Sequence, residues 1–288
     1  FLLPWLTTKL FGVSEVALRL PSLIAAVAIV PAIYLLVRWW TASLTASVVA
    51  AALATFDQNF LTFATEARPY AWVQLTAVVQ VATLWRRWRC PSWKSRTAWI
   101  GSSALLFYLH YTAVLVVVAE CVFLLVMRLF RRESHSIKWT NATLDVIAIG
   151  LLLLRAAGPL LAIADRRDNW RQFVSSPQEW GEWMILPLAA YVIVPALLAY
   201  GWILLQKLSG LARPLESIRD KFAPLILALC WLLAPVVIVW LTTWFDLAAL
   251  WMTRYVIASL AAVVVLAGLL CSLPNPRAVR IGMGLATL

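Results

Sequence analysis

Charge is what this sequence has least of. Only 13% of its 288 residues are Asp, Glu, Lys or Arg, about half the share usual in soluble globular domains. A water-soluble single domain is thereby excluded. Cysteine is scarce as well, and Cys90, Cys121, Cys230 and Cys271 show no CxxC spacing, with three of them inside apolar runs. That pattern supports neither a disulfide framework nor a cysteine metal site. Stretches of alternating polar and apolar residues are missing too, which argues against a transmembrane β-barrel.

What is present is apolar length. Hydrophobic residues make up 63% of the chain and the mean hydropathy is +0.86, so the chain belongs in a bilayer. Runs of a length suited to a membrane-crossing helix, roughly 17 to 25 residues, recur near 19–37, 42–62, 69–85, 97–109, 111–130, 142–163, 184–206, 224–243 and 255–272. The expected fold is all-α: one polytopic transmembrane domain over 1–288, with about nine membrane segments. The first residue is Phe1 rather than Met, and the last apolar run, "IGMGLATL", is too short to span. The chain is therefore expected to be a fragment at both ends.

The net charge of +11 admits nucleic acid as a partner, but the positions of the charges point to a membrane instead. Arg38, then Arg86, Arg87, Arg89, Lys94 and Arg96, then Arg128, Arg131, Arg132 and Lys138, then Lys207, Arg213, Arg219 and Lys221, and finally Arg277 and Arg280 fall in alternate connections. The intervening connections hold fewer cations and most of the acids, including Glu15, Asp57, Glu66, Asp165, Asp168, Glu179, Glu182 and Asp246. The positive-inside tendency makes the first set cytoplasmic. Residues 97–130 have basic flanks at both ends and must cross an even number of times. A hairpin turning near "FYLHYT" satisfies this, although no Gly or Pro marks the turn, and one long tilted segment is the alternative.

This topology puts "QNFLTFATEARPY" on the outer side. Pro69 suits the first turn of the following helix, whose unpaired N–H groups would then lie beside Arg68. Together they form an anion site, with phosphate the anion both favour. Glu66 either pairs with Arg68 or receives a sugar hydroxyl. Ser14, Glu15 and Arg19 read as an N-cap and an i,i+4 pair, a structural role. His110 and Tyr111 at the hairpin tip suit a ligand or an interface equally. Arg254 and Tyr255 open a later span in the manner of Arg68, as a phosphate contact or an interfacial anchor. Arg155, inside an apolar run, requires a partner such as Glu120 or Asp145, or a water-filled cleft. The outer connection 164–183, with Trp170, Trp180 and Trp183, is placed to act as a lid or to lie on the surface as an amphipathic helix.

"FGVSEVALRLPSLIAAVAIVPAIYLL", "FATEARPYAWVQL", "FYLHYTAVLVVVAE" and "TRYVIASLAAVVVLAGLL", in this order, resemble bacterial GT-C glycosyltransferases. The resemblance is to the family-39 group, related to protein O-mannosyltransferases and aminoarabinose transferases. It implies a multi-pass plasma-membrane enzyme that transfers a sugar from a polyprenyl-phosphate carrier, on the extracytoplasmic face, to a hydroxyl of a protein, lipid or glycan. It also implies donor-site roles for Glu66, Arg68, Tyr70, His110, Tyr111, Arg254 and Tyr255, although Thr65 stands where the family commonly has Gln. The family's catalytic Asp would lie upstream of Phe1, so no general base is expected within the fragment. Neither the residues nor the resemblance decides whether a divalent cation assists. The competing readings are a secondary transporter, disfavoured because no internal repeat is found, and a non-catalytic polyprenyl-lipid-binding protein.

Overall fold

The computed structural model describes residues 2–130, 137–164, 174, 188–209, 214–274 and 277–287. These are mostly helical, with no strand among the described residues. In chain order the helices are α1 Leu2–Phe11, α2 Glu15–Thr41, α3 Leu44–Phe56, α4 Gln58–Thr65, α5 Tyr70–Arg89, α6 Trp93–Leu109, α7 Val114–Phe130, α8 Trp139–Leu153, α9 Ala157–Ala164, α10 Val194–Leu208, α11 Pro214–Trp244, α12 Thr253–Val256, α13 Leu260–Cys271 and α14 Arg277–Thr287. Among the described residues, six helical stretches are long and apolar enough to cross a membrane: Glu15–Thr41, Tyr111–Phe130, Thr140–Ala162, Ala190–Leu208, Lys221–Trp244 and Thr253–Cys271. The pair α3 and α4, bent by 54° at Asp57, makes a seventh if taken as one broken span. The chain is an all-α polytopic membrane bundle.

Short-range chemistry sets several of these boundaries. Ser14 caps α2 by accepting from the Ala17 N–H at 3.1 Å, and Glu15 pairs with Arg19 at 2.6 Å on the exposed first turn, the structural role their spacing implies. α2 ends where Ala42 turns left-handed at φ 53°, and Ser43 caps α3 one residue later. At the bend, the Asp57 carboxylate accepts from the N–H groups of Asn59 and Phe60 at 2.9 and 3.2 Å.

α13 lies at the centre. Every residue from Leu260 to Leu269 is buried, as expected of a helix that is apolar all round. It packs closely on α3 because Gly268 has no side chain: a Cβ there would lie 2.9 Å from the Ala46 carbonyl oxygen and 3.0 Å from the Ala50 Cβ. Small residues that admit a neighbouring backbone are the usual means of bringing membrane helices together. Around this centre α2 packs on α3 and α5, α5 on α6, α6 on α8, and α7 on α11.

Residues 97–130 form the two-armed hairpin. α6 stops at Leu109, His110 is extended at φ −158° and ψ 117°, and a 3₁₀ turn over Tyr111–Ala113 leads into α7. Trp99 and Glu120, nearly equidistant from His110, join the arms where the indole N–H donates to the carboxylate at 2.7 Å. Gln80 of α5 donates to the same carboxylate and, at 3.3 Å, to Ser103. An extended residue, rather than Gly or Pro, makes the reversal.

Two expectations are corrected. Pro69 does not occupy the first turn of α5: it precedes Tyr70 as the capping residue, with φ −73° and ψ 7°. Arg155 is partnered by neither Glu120 nor Asp145. Asp145 instead takes Arg87 at 3.0 Å and also Arg96, while Glu120 is held by Trp99 and Gln80. Arg155 sits exposed in a 3₁₀ break between α8 and α9. The connection 164–183, read as a lid, lies outside the described residues apart from Ala164 and Val174.

Candidate functional site

The two ends of the bundle differ in charge. α5 has 20 residues and is therefore about 30 Å long. Its C-terminal end carries Arg86, Arg87 and Arg89, with the buried Arg87–Asp145 pair beneath. Its N-terminal end meets the start of α12 and the tip of the α6–α7 hairpin, and three segments distant in sequence converge there.

The first is Glu66–Tyr70. Glu66 ends α4 in an extended conformation at φ −76° and ψ 135°. The following turn is fastened from α2, where the buried Ser22 hydroxyl donates to the Arg68 carbonyl at 2.9 Å. Arg68 itself is exposed. Its guanidinium donates to the Tyr70 hydroxyl at 3.3 Å and lies 5.9 Å from the centre of that ring. Glu66 is near enough to favour the Arg68 charge, but the two are not joined as an ion pair, since the described ion pairs lie elsewhere. The buried ring of Tyr70 packs edge-on against Phe63, with centres 5.4 Å apart.

The second segment is the hairpin tip. The His110 ring lies 6.0 Å from Tyr70 on one side and 5.9 Å from Tyr255 on the other. Burial, and then the positive charge of Arg254, hold its pKa down at about 4, so His110 is neutral at physiological pH. Tyr111 does not join this run of rings; its contact is with Phe107, at 5.2 Å.

The third is the start of α12. Arg254 lies 5.2 Å from the Tyr255 ring centre and donates to the Met252 sulfur at 3.4 Å. Its Nε is buried without a hydrogen-bond partner. The result is a continuous line, Arg68–Tyr70–His110–Tyr255–Arg254, with a guanidinium at each end and no carboxylate paired to either among the described residues. Burial of a guanidinium donor without a partner is costly, and an anion of complementary shape would relieve it.

Of the seven site residues proposed from sequence, the structure thus assembles five in one line, sets Glu66 at its margin and turns Tyr111 towards Phe107. Sequence reasoning missed Ser22, which fixes the Arg68 backbone, and Thr112, whose hydroxyl lies 2.8 Å from His110 Nδ1 and 3.3 Å from the Tyr255 carbonyl. The available signal was weak: one hydroxyl after Pro21 in an apolar helix, and one beside the His-Tyr pair. Among the described residues no group of three His, Cys, Asp or Glu side chains is arranged to hold a metal ion.

The sequence profile of the dolichyl-phosphate-mannose-protein mannosyltransferase family matches residues 1–155, more than half of the chain. No curated protein and no solved structure matches it. The chain belongs to this family, and so to the membrane glycosyltransferases.

Proposed function

We propose that this member of the dolichyl-phosphate-mannose-protein mannosyltransferase family moves a sugar from a polyprenyl-phosphate donor to a hydroxyl of a protein, lipid or glycan. The reaction takes place on the extracytoplasmic face of the membrane. The observation that carries the proposal is the line of two guanidiniums and three aromatic rings, drawn from three separate segments, at the end of the bundle away from the Arg86–Arg89 cluster. Arginine is suited to phosphate because its planar fork gives two parallel hydrogen bonds. Tyr255, only partly buried, offers a ring and hydroxyl to a sugar.

The chemistry is a direct displacement. An acceptor oxygen forms a bond to the anomeric carbon as the bond from that carbon to the phosphate oxygen breaks, and the electron pair leaves with the phosphate. A guanidinium at one end of the line, that of Arg68 in the test below, stabilises the charge that develops there. The acceptor's proton goes to a carboxylate that serves as general base. Polyprenyl phosphate is a good leaving group and requires no general acid.

The test is binding of dolichyl-phosphate mannose to the full-length protein in detergent. Arg68→Ala is expected to weaken binding roughly tenfold to a hundredfold, the range for a lost charged hydrogen bond, and Arg68→Lys to restore only part of it. Glu66→Gln is expected to insert normally and turn over more slowly. Equal affinity in wild type and Arg68→Ala, with only thermal stability lowered, would make "TEARPY" a structural element and overturn the proposal.

A further inference from the structure

Thr112 makes two polar contacts with a side chain that carries a single hydrogen. Its Oγ1 lies 3.3 Å from the Tyr255 carbonyl oxygen and 2.8 Å from His110 Nδ1. A carbonyl only accepts, so for both contacts to be hydrogen bonds the hydroxyl hydrogen must be directed to Tyr255, and Nδ1 must carry the proton and donate to Thr112. The neutral imidazole has one N–H. Its other nitrogen, Nε2, is therefore a bare acceptor, and no described residue donates to it.

We infer that Thr112 locks His110 as the Nδ1–H tautomer, and that Nε2 accepts a hydrogen bond from a hydroxyl of the bound sugar. The sugar assignment rests on the glycosyltransferase reading above; the tautomer does not. A bare imidazole nitrogen repels a phosphate oxygen, because both are acceptors. His110 is thus separated in role from the arginines: a guanidinium holds the phosphate, and His110 positions the hydroxyl-bearing ring through Nε2. Thr112 is a positioning residue acting through His110, and it also ties the hairpin tip to α12. The second contribution is purely structural, so the test must separate the two.

The tautomer is read directly from the side-chain nitrogen resonances of ¹⁵N-histidine in the full-length protein, with His110 assigned by the signal lost in His110→Phe. The expected wild-type pattern is a protonated Nδ1 and an unprotonated Nε2. Thr112→Ser should preserve it. Thr112→Val, of nearly the same shape, should lose the preference for Nδ1–H. An Nε2–H tautomer in the wild type, or an unchanged tautomer in Thr112→Val, would overturn the lock.

The ligand is tested with dolichyl-phosphate mannose and with dolichyl phosphate, which lacks the sugar. His110→Phe is expected to weaken the sugar-bearing lipid roughly three- to tenfold, the equivalent of one hydrogen bond, and to leave the bare phosphate unaffected. Arg68→Ala should weaken both. An equal loss for the two lipids in His110→Phe would overturn the hydroxyl assignment. If the wild type bound neither lipid, the glycosyltransferase reading would fail and take the sugar assignment with it, and the nitrogen spectrum would still decide the lock.

Discussion

The Ser22 hydroxyl on α2 holds the backbone carbonyl of Arg68 at 2.9 Å, across 46 residues of sequence. The turn that carries Arg68 is thereby pinned to the first long helix, and its guanidinium stands beside Tyr70. Ser22→Ala is expected to lower stability by about 1 kcal/mol, the usual net value of such a bond, and to weaken dolichyl-phosphate mannose binding. Ser22→Thr, which keeps the hydroxyl, should retain more of the affinity. Thermal unfolding and lipid binding in detergent read both effects. Wild-type affinity in Ser22→Ala would show that the turn holds its shape without this bond.

His110 makes stability depend on pH in a defined direction. Its pKa in the folded protein is held down at about 4, against an ordinary 6.5, so the unfolded chain takes up a proton first as pH falls. Its contribution to stability is whole above pH 6.5 and is lost as pH drops through 4. The stability difference between wild type and His110→Gln should therefore shrink on acidification across that window. A difference independent of pH would mean that His110 titrates normally.

At the opposite end of α5, Asp145 is fully buried between Arg87, itself only 4% exposed, and Arg96. Asp145→Asn leaves Arg87 buried without its counter-charge and should cost about 3–5 kcal/mol. Arg96→Ala removes the partly exposed partner but leaves Asp145 paired with Arg87, and should cost less than Asp145→Asn. The measurement is detergent thermal stability of the two variants side by side. Equal losses would contradict this ranking.

Sidedness has its own reporter in Cys90, which is exposed just after α5. A membrane-impermeant thiol reagent is expected to reach it from the cytoplasmic side alone. In a Cys90→Ser background, a cysteine replacing the exposed Ala67 should react from the outside. The reverse pattern would move the line of arginines and aromatic rings to the cytoplasm and overturn the proposed location of transfer.

The class of the fold was legible in the sequence because apolar run length is a local property: any window long enough to span shows itself without reference to the rest of the chain. The start of α2 was legible for the same reason, since Ser14, Glu15 and Arg19 act within two turns of one helix. Parity favoured a hairpin, as basic residues flank 97–130 on both sides, but one long tilted segment stayed open until the break at His110 decided it. Pairings between helices were not legible. Asp145 meets Arg87 from 58 residues away, and Arg155, nearer to it in sequence, is left exposed. Which charges meet depends on which helices adjoin, and hydropathy carries no such information.

The candidate site divides along the same line. Arg68, Tyr70, His110, Arg254 and Tyr255 were identifiable as residues, each at the end of an apolar run. Their assembly into one line, with His110 between two tyrosines, was decided only when α5, the hairpin tip and α12 met. The proton on His110 is decided at the same place: Thr112 is its neighbour in sequence, but the Tyr255 carbonyl that claims the Thr112 hydrogen is 143 residues away. Composition and local spacing determined the membrane, the helices and the candidate residues, because those depend on transfer into the bilayer and on single turns of chain. Only the packed bundle determined partners, tautomer and geometry, because a hydrogen bond requires two groups within about 3 Å whatever their separation in sequence.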